Sequence, residues 1–109
     1  MTQAGIGRGV KITYYGHSAF KLFGAGVNVL IDPWLSNPLL NTPLDKVGQV
    51  DLILVTHGHG DHVGETVPLA GKTGATVIAI HELSQILAGD TLIALGLRKN
   101  LDALEKMVL

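Results

Sequence analysis

The sequence predicts an α/β (α+β) fold: a β-meander, then a strand–helix–strand unit, then a C-terminal helix. Three observations carry this expectation. Short β-rich runs in the first half are punctuated by glycines. The apolar run Leu52-Ile53-Leu54-Val55 is followed by a helical stretch and a second apolar run at 76–80. Near the end, Leu97, Leu101, Leu104 and Val108 recur at the spacing of one helix face.

The elements follow in order. Residues 11–15 are β-rich and stop at Gly16. Residues 19–23 alternate roughly with period two, and Gly24-Ala25-Gly26 turns the chain into a third strand at 27–31. Asp32-Pro33 ends that strand, because proline cannot donate to the ladder. A loop rich in Pro, Asn and Ser runs through 34–43. Residues 52–55 read as a strand covered on both faces, and Asp61 as the cap of a helix reaching about Gly71, with Pro68 distorting or restarting it. A second buried strand at 76–80 follows the turn at Thr73-Gly74. Residues 81–87 read as a short helix, and 92–109 as the C-terminal one.

A chain of 109 residues with 47% hydrophobic content makes one domain, residues 1–109, and is too short for two. Eight Lys and Arg balance nine Asp and Glu, so no basic stripe suggests a nucleic-acid groove. Arg98-Lys99 reads as a solvated helix face. The absence of cysteine excludes disulfides and thiolate ligands and fits a reducing cytoplasm. The glycine-rich residues 1–10 lack the apolar core of a secretory signal, and every apolar run is too short to span a bilayer. The expectation is a soluble cytoplasmic domain with no nucleic-acid or membrane partner.

Thr56-His57-Gly58-His59-Gly60-Asp61-His62 packs three histidines and an aspartate into seven positions after the 52–55 strand. In an extended segment, residues i and i+2 point to the same side, so His57 and His59 can reach one metal together. Asp61 and His62, at the strand-to-helix turn, can face a second ion. Gly58 and Gly60 remove side chains where the backbone must turn tightly. Imidazole suits zinc, and carboxylate suits zinc, manganese or iron. The alternative is a Gly/His-rich loop whose histidines are incidental.

His57-x-His59-x-Asp61-His62 after a hydrophobic strand resembles the metal motif of the metallo-β-lactamase superfamily. The segments Ile12-Thr13-Tyr14-Tyr15-Gly16-His17-Ser18-Ala19-Phe20, Leu30-Ile31-Asp32-Pro33-Trp34-Leu35, Leu54 through Gly64, Thr73-Gly74-Ala75-Thr76-Val77-Ile78 and Glu82-Leu83 look like the metal-dependent hydrolase branch related to ascorbate-phosphate lactonase. The resemblance covers about residues 10–87. It implies the N-terminal half of an αββα sandwich with a metal site along one edge. It also implies hydrolysis of an ester, lactone, amide or phosphodiester by a hydroxide bridging two metals. His57 and His59 would hold the first ion, and Asp61 and His62 the second. Asp61 would also orient the attacking water or take its proton, the catalytic role. Asp32, in the Ile-Asp-Pro segment, would orient a ligand by hydrogen bonding, or else only form the turn before Pro33. His17 would line the cleft or stand behind a ligand, with a satisfied turn histidine as the alternative.

The chain departs from this pattern after Leu87. Complete members are considerably longer and bring a third histidine for the first ion, a bridging aspartate and a last histidine for the second. Ala88-Gly89-Asp90-Thr91 looks like the family's Gly-Asp-Thr segment, in which the aspartate bridges the metals. An internal deletion joining Ile86-Leu87 to Ala88 explains the shortened spacing. Asp90 is then a fifth metal ligand, or instead the N-cap of the last helix. His81 reads as a helix-start residue rather than a ligand.

Two functions follow as expectations. One is a hydrolase with one or two zinc ions, manganese or iron being alternatives, acting on a small-molecule ester, lactone or phosphoester. The other is an inactive remnant, an incomplete domain that binds metal weakly and self-associates to cover its open sheet face.

Overall fold

A computed structural model describes residues 2–6, 9–80 and Leu83. Six strands form one sheet in sequence order: β1 Thr2–Ile6, β2 Val10–Tyr14, β3 Phe20–Gly24, β4 Val27–Ile31, β5 Leu52–Leu54 and β6 Thr76–Ile78. The first four pair antiparallel as a meander. β4, β5 and β6 pair parallel. The sheet is therefore the expected meander joined to a strand–helix–strand unit, with strand bounds shifted by one or two residues.

One strand was not expected. β1 lies in the glycine-rich segment, which has no alternating pattern, and its pairing with β2 from Thr2↔Tyr14 to Ile6↔Val10 supplies what local sequence does not. The β3–β4 hairpin turns through Ala25 and Gly26, both with positive φ, as a type I′ connection requires. Between β4 and β5 the chain crosses over through a loop and a 3₁₀ turn at Leu44–Lys46. Asp51 pins the end of that crossover: its Oδ2 accepts bonds from the Asn28 backbone N–H at 2.8 Å and amide at 3.2 Å.

The helix expected from Asp61 to Gly71 is two helices, α1 Gly60–Val63 and α2 Thr66–Thr73. His59, not Asp61, occupies the N-cap position, and Asp61 lies in the first turn. The break falls at Gly64 rather than at Pro68, which sits harmlessly within the first turn of α2. Gly64 has φ +44°, and a Cβ there would lie 2.3 Å from Trp34 Cα. The helix must stop where its backbone touches the 33–35 loop. Glu65 closes the junction: its carboxylate accepts from the backbone N–H of Leu35 at 2.6 Å and of Ser36 at 3.4 Å. Gly74, left-handed at φ +75°, caps α2 through its N–H to Ala70 O.

Period two divides the sheet into two apolar faces. Leu30, Ile53, Val55 and Val77 pack with Leu69 and Ala70 of α2 and with Leu35, Val47 and Val50 of the crossover. On the reverse side, Val29 and Leu52 are buried among partly buried Leu22, Val27, Ile31, Leu54 and Ile78. Strands apolar on both sides belong to a sheet covered on both sides. The helices expected at 81–87 and 92–109 lie outside the described residues, apart from buried Leu83.

Candidate metal centre

β2, β4 and β5 run in the same direction, so the segments leaving their C-terminal ends share one edge of the sheet. These are the turn carrying His17, the Asp32–Leu35 loop and the histidine loop. Each is held by a specific device. Asn37, fully buried, donates its amide to Tyr15 O and Trp34 O at 2.8 Å each, and its Oδ1 accepts from Leu39 and Leu40. Gly16 permits this, since a Cβ there would lie 2.4 Å from Asn37 Oδ1. The His17 turn is closed by the Tyr14 hydroxyl, which donates to His17 O at 2.8 Å.

Asp32 stands behind the histidine loop. It is buried and has φ +45°, an uncommon conformation for a residue with a side chain. Its Oδ1 accepts the Thr56 backbone N–H at 2.8 Å, and its Oδ2 accepts the Thr56 hydroxyl at 2.7 Å. The same Oδ2 lies 2.9 Å from His62 Nδ1. Thr56 Oγ1 in turn lies 2.9 Å from His57 Nδ1.

In front of these, His17 Nε2 lies 3.1 Å from Asp61 Oδ2. Among the described residues, His17, Asp61 and His62 form the group of metal-ligating side chains whose donor atoms all lie within 4.8 Å of one another. Partial burial raises the Asp61 carboxyl, but the hydrogen bond with His17, the electrostatic attraction of the adjacent His62 and His17 rings and a backbone hydrogen bond outweigh it and hold it below its ordinary value. His57 packs its ring 4.0 Å from His62 and 4.7 Å from His59, centroid to centroid. His57 and His59 thus stand beside the three-donor group without joining it. Asp90 and His81 lie outside the described residues.

The site also draws on Thr56, Trp34 and Tyr14, to which the sequence alone assigns no role. Trp34 meets the His17 ring edge-on at 5.0 Å. Thr56 had a signal, a hydroxyl directly before the first histidine of the loop. Its partner, Asp32, lies 24 residues upstream, and only the β4–β5 pairing brings them together.

Residues 11–94 match the family model described as "Beta-lactamase superfamily domain". The chain is 49% identical over 77 residues to a UPF0173 metal-dependent hydrolase of Caldivirga maquilingensis, covering 71% of this chain and 34% of that protein. It is 50% identical over 86 residues to one of Rubrobacter xylanophilus, covering 77% of this chain and 35% of that protein. The structure of Igni18, a metallo hydrolase of Ignicoccus hospitalis, superposes with a TM-score of 0.70 at 40% identity, over 78% of this chain and 39% of that one. The chain therefore spans about a third of the length of the curated relatives it matches.

Proposed function

The chain belongs to the β-lactamase superfamily, and on that premise we propose that it carries the metal-holding portion of a metal-dependent hydrolase active site. The observation that carries this reading is the convergence of His17, Asp61 and His62 donors within 4.8 Å. The donor set fits a divalent transition ion. Imidazole and carboxylate suit zinc, manganese or iron, and His62 keeps Nε2 available because Nδ1 faces Asp32. The depressed Asp61 carboxyl is ionised at neutral pH, as a ligand must be.

In this reading His17, Asp61 and His62 hold one zinc ion, and His57 and His59, whose rings stand beside that group, complete its site or hold a second ion. A bound divalent ion lowers the pKa of water and stabilises the negative charge that builds on the attacked group. Asp61 orients the attacking water or receives its proton. Asp32 fixes the ring of His62. The substrate class is an ester, lactone or phosphoester of a small molecule, and the setting a reducing cytoplasm. The test is hydrolysis of generic ester, lactone and phosphodiester substrates with added zinc or manganese. Turnover abolished by His59→Ala supports the reading, and equal background in both proteins removes it.

The large hydrophobic side chains exposed among the described residues, Phe20, Phe23, Leu39, Leu40 and Ile80, favour another reading, a domain that binds metal weakly and self-associates. Sedimentation at several concentrations separates the two, since a strictly monomeric species removes self-association.

A further inference from the structure

The geometry points to Thr56 as a positioning residue that sets the tautomer of His57, so that one buried carboxylate, Asp32, orients two histidines at once. The inference rests on the metal-site reading above and deepens it.

A hydroxyl has one hydrogen to give and lone pairs to receive with. Thr56 Oγ1 lies 2.7 Å from Asp32 Oδ2, and an ionised carboxylate can only accept. The hydroxyl proton therefore points to Asp32. Towards His57 Nδ1, at 2.9 Å, the same oxygen can then only accept, so Nδ1 of His57 carries the proton. His62 Nδ1 meets Asp32 Oδ2 directly at 2.9 Å, and by the same count it carries a proton too. Both neutral rings are thereby left with their lone pair on Nε2, the atom free to bind an ion. This is the tautomer that free histidine in water disfavours, so the protein must hold it in place.

The relay is rigidly founded. Asp32 is buried, and its other oxygen accepts the Thr56 backbone N–H at 2.8 Å. That bond fixes the start of the histidine loop independently of the hydroxyl. Thr56→Val therefore removes the relay while keeping side-chain shape and the backbone anchor, and Thr56→Ser keeps the hydroxyl.

The experiment is long-range ¹H–¹⁵N NMR of histidine-labelled, metal-free protein at a pH where the rings are neutral. It is paired with zinc affinity from competition with a chromogenic chelator. Wild type and Thr56→Ser are expected to show His57 protonated at Nδ1. Thr56→Val is expected to shift His57 towards the Nε2-protonated form, leave His62 unchanged, and weaken zinc binding about tenfold. An unchanged His57 signature in Thr56→Val, or a serine variant indistinguishable from the valine one, overturns the proposal. Wild type that binds no zinc yet shows the Thr56-dependent tautomer removes the metal reading and leaves the relay standing.

Discussion

The imidazole of His17 meets the carboxylate of Asp61 at 3.1 Å across 44 residues of sequence, joining the β2–β3 turn to the first turn of α1. A donor pair at this separation can receive an ion between its atoms or, without one, satisfy itself. His17→Ala removes both uses while leaving the core untouched, because the side chain is about a third exposed. Zinc affinity should fall about tenfold, a loss of the size that removal of a supporting group brings. Calorimetric zinc titration of both proteins checks this, and equal affinities would take His17 out of the site.

Gly64→Ala should be among the more damaging single changes in the chain. The new Cβ would meet Trp34 Cα at 2.3 Å and Pro33 O at 2.6 Å, both backbone atoms that cannot rotate aside, at a φ of +44°. Forced backbone movement and left-handed strain together cost about 2–4 kcal/mol. Urea denaturation followed by Trp34 fluorescence measures the loss. A variant within about 0.5 kcal/mol of wild type would show that the two segments separate freely.

Glu65→Gln keeps the length of the side chain and removes the charge that receives two backbone donors, Leu35 N–H and Ser36 N–H. An amide oxygen still accepts, but without charge assistance the bonds weaken, and about 1 kcal/mol should be lost. Glu65→Ala, which leaves the Leu35 donor unpaired, should cost more, about 2 kcal/mol. The ordering of the two variants is the check. An alanine variant as stable as the glutamine one would mean that water replaces the carboxylate.

Burial pushes the Tyr15 hydroxyl above its ordinary value near 10. The folded state thus favours the neutral phenol. This contribution is whole below the unfolded pKa and is lost as pH rises through the folded one. Wild type should therefore lose stability relative to Tyr15→Phe on going from pH 9 to strongly alkaline solution. Parallel denaturation curves across that window test the sign, and a constant difference between the two proteins would refute it.

Much of the architecture is legible because the physics is local. The β3–β4 hairpin follows from Gly24-Ala25-Gly26 between alternating runs, and the parallel pair β5–β6 from two short, mostly apolar segments. What could not be read depends on distant partners. β1 has no pattern of its own and exists through its pairing with β2. The break at Gly64 depends on the Trp34 backbone, 30 residues earlier in the numbering, whereas Pro68 is the helix breaker that local chemistry marks. The density of ligating side chains in His57–His62 is plain in the sequence. Which donors converge is not, because His17 reaches Asp61 and His62 only through the shared strand edge.

The contact of Gly64 with the backbone at Trp34 also has a kinetic side. Leu35 N–H is held by Glu65, Glu65 N–H by Pro33 O, and Thr56 N–H by Asp32. None of these segments can lift away without releasing the next, so they should open as one cooperative unit. Their amides should then exchange with solvent deuterium at a common rate. Any ion or ligand that steadies one of them would slow exchange across all three.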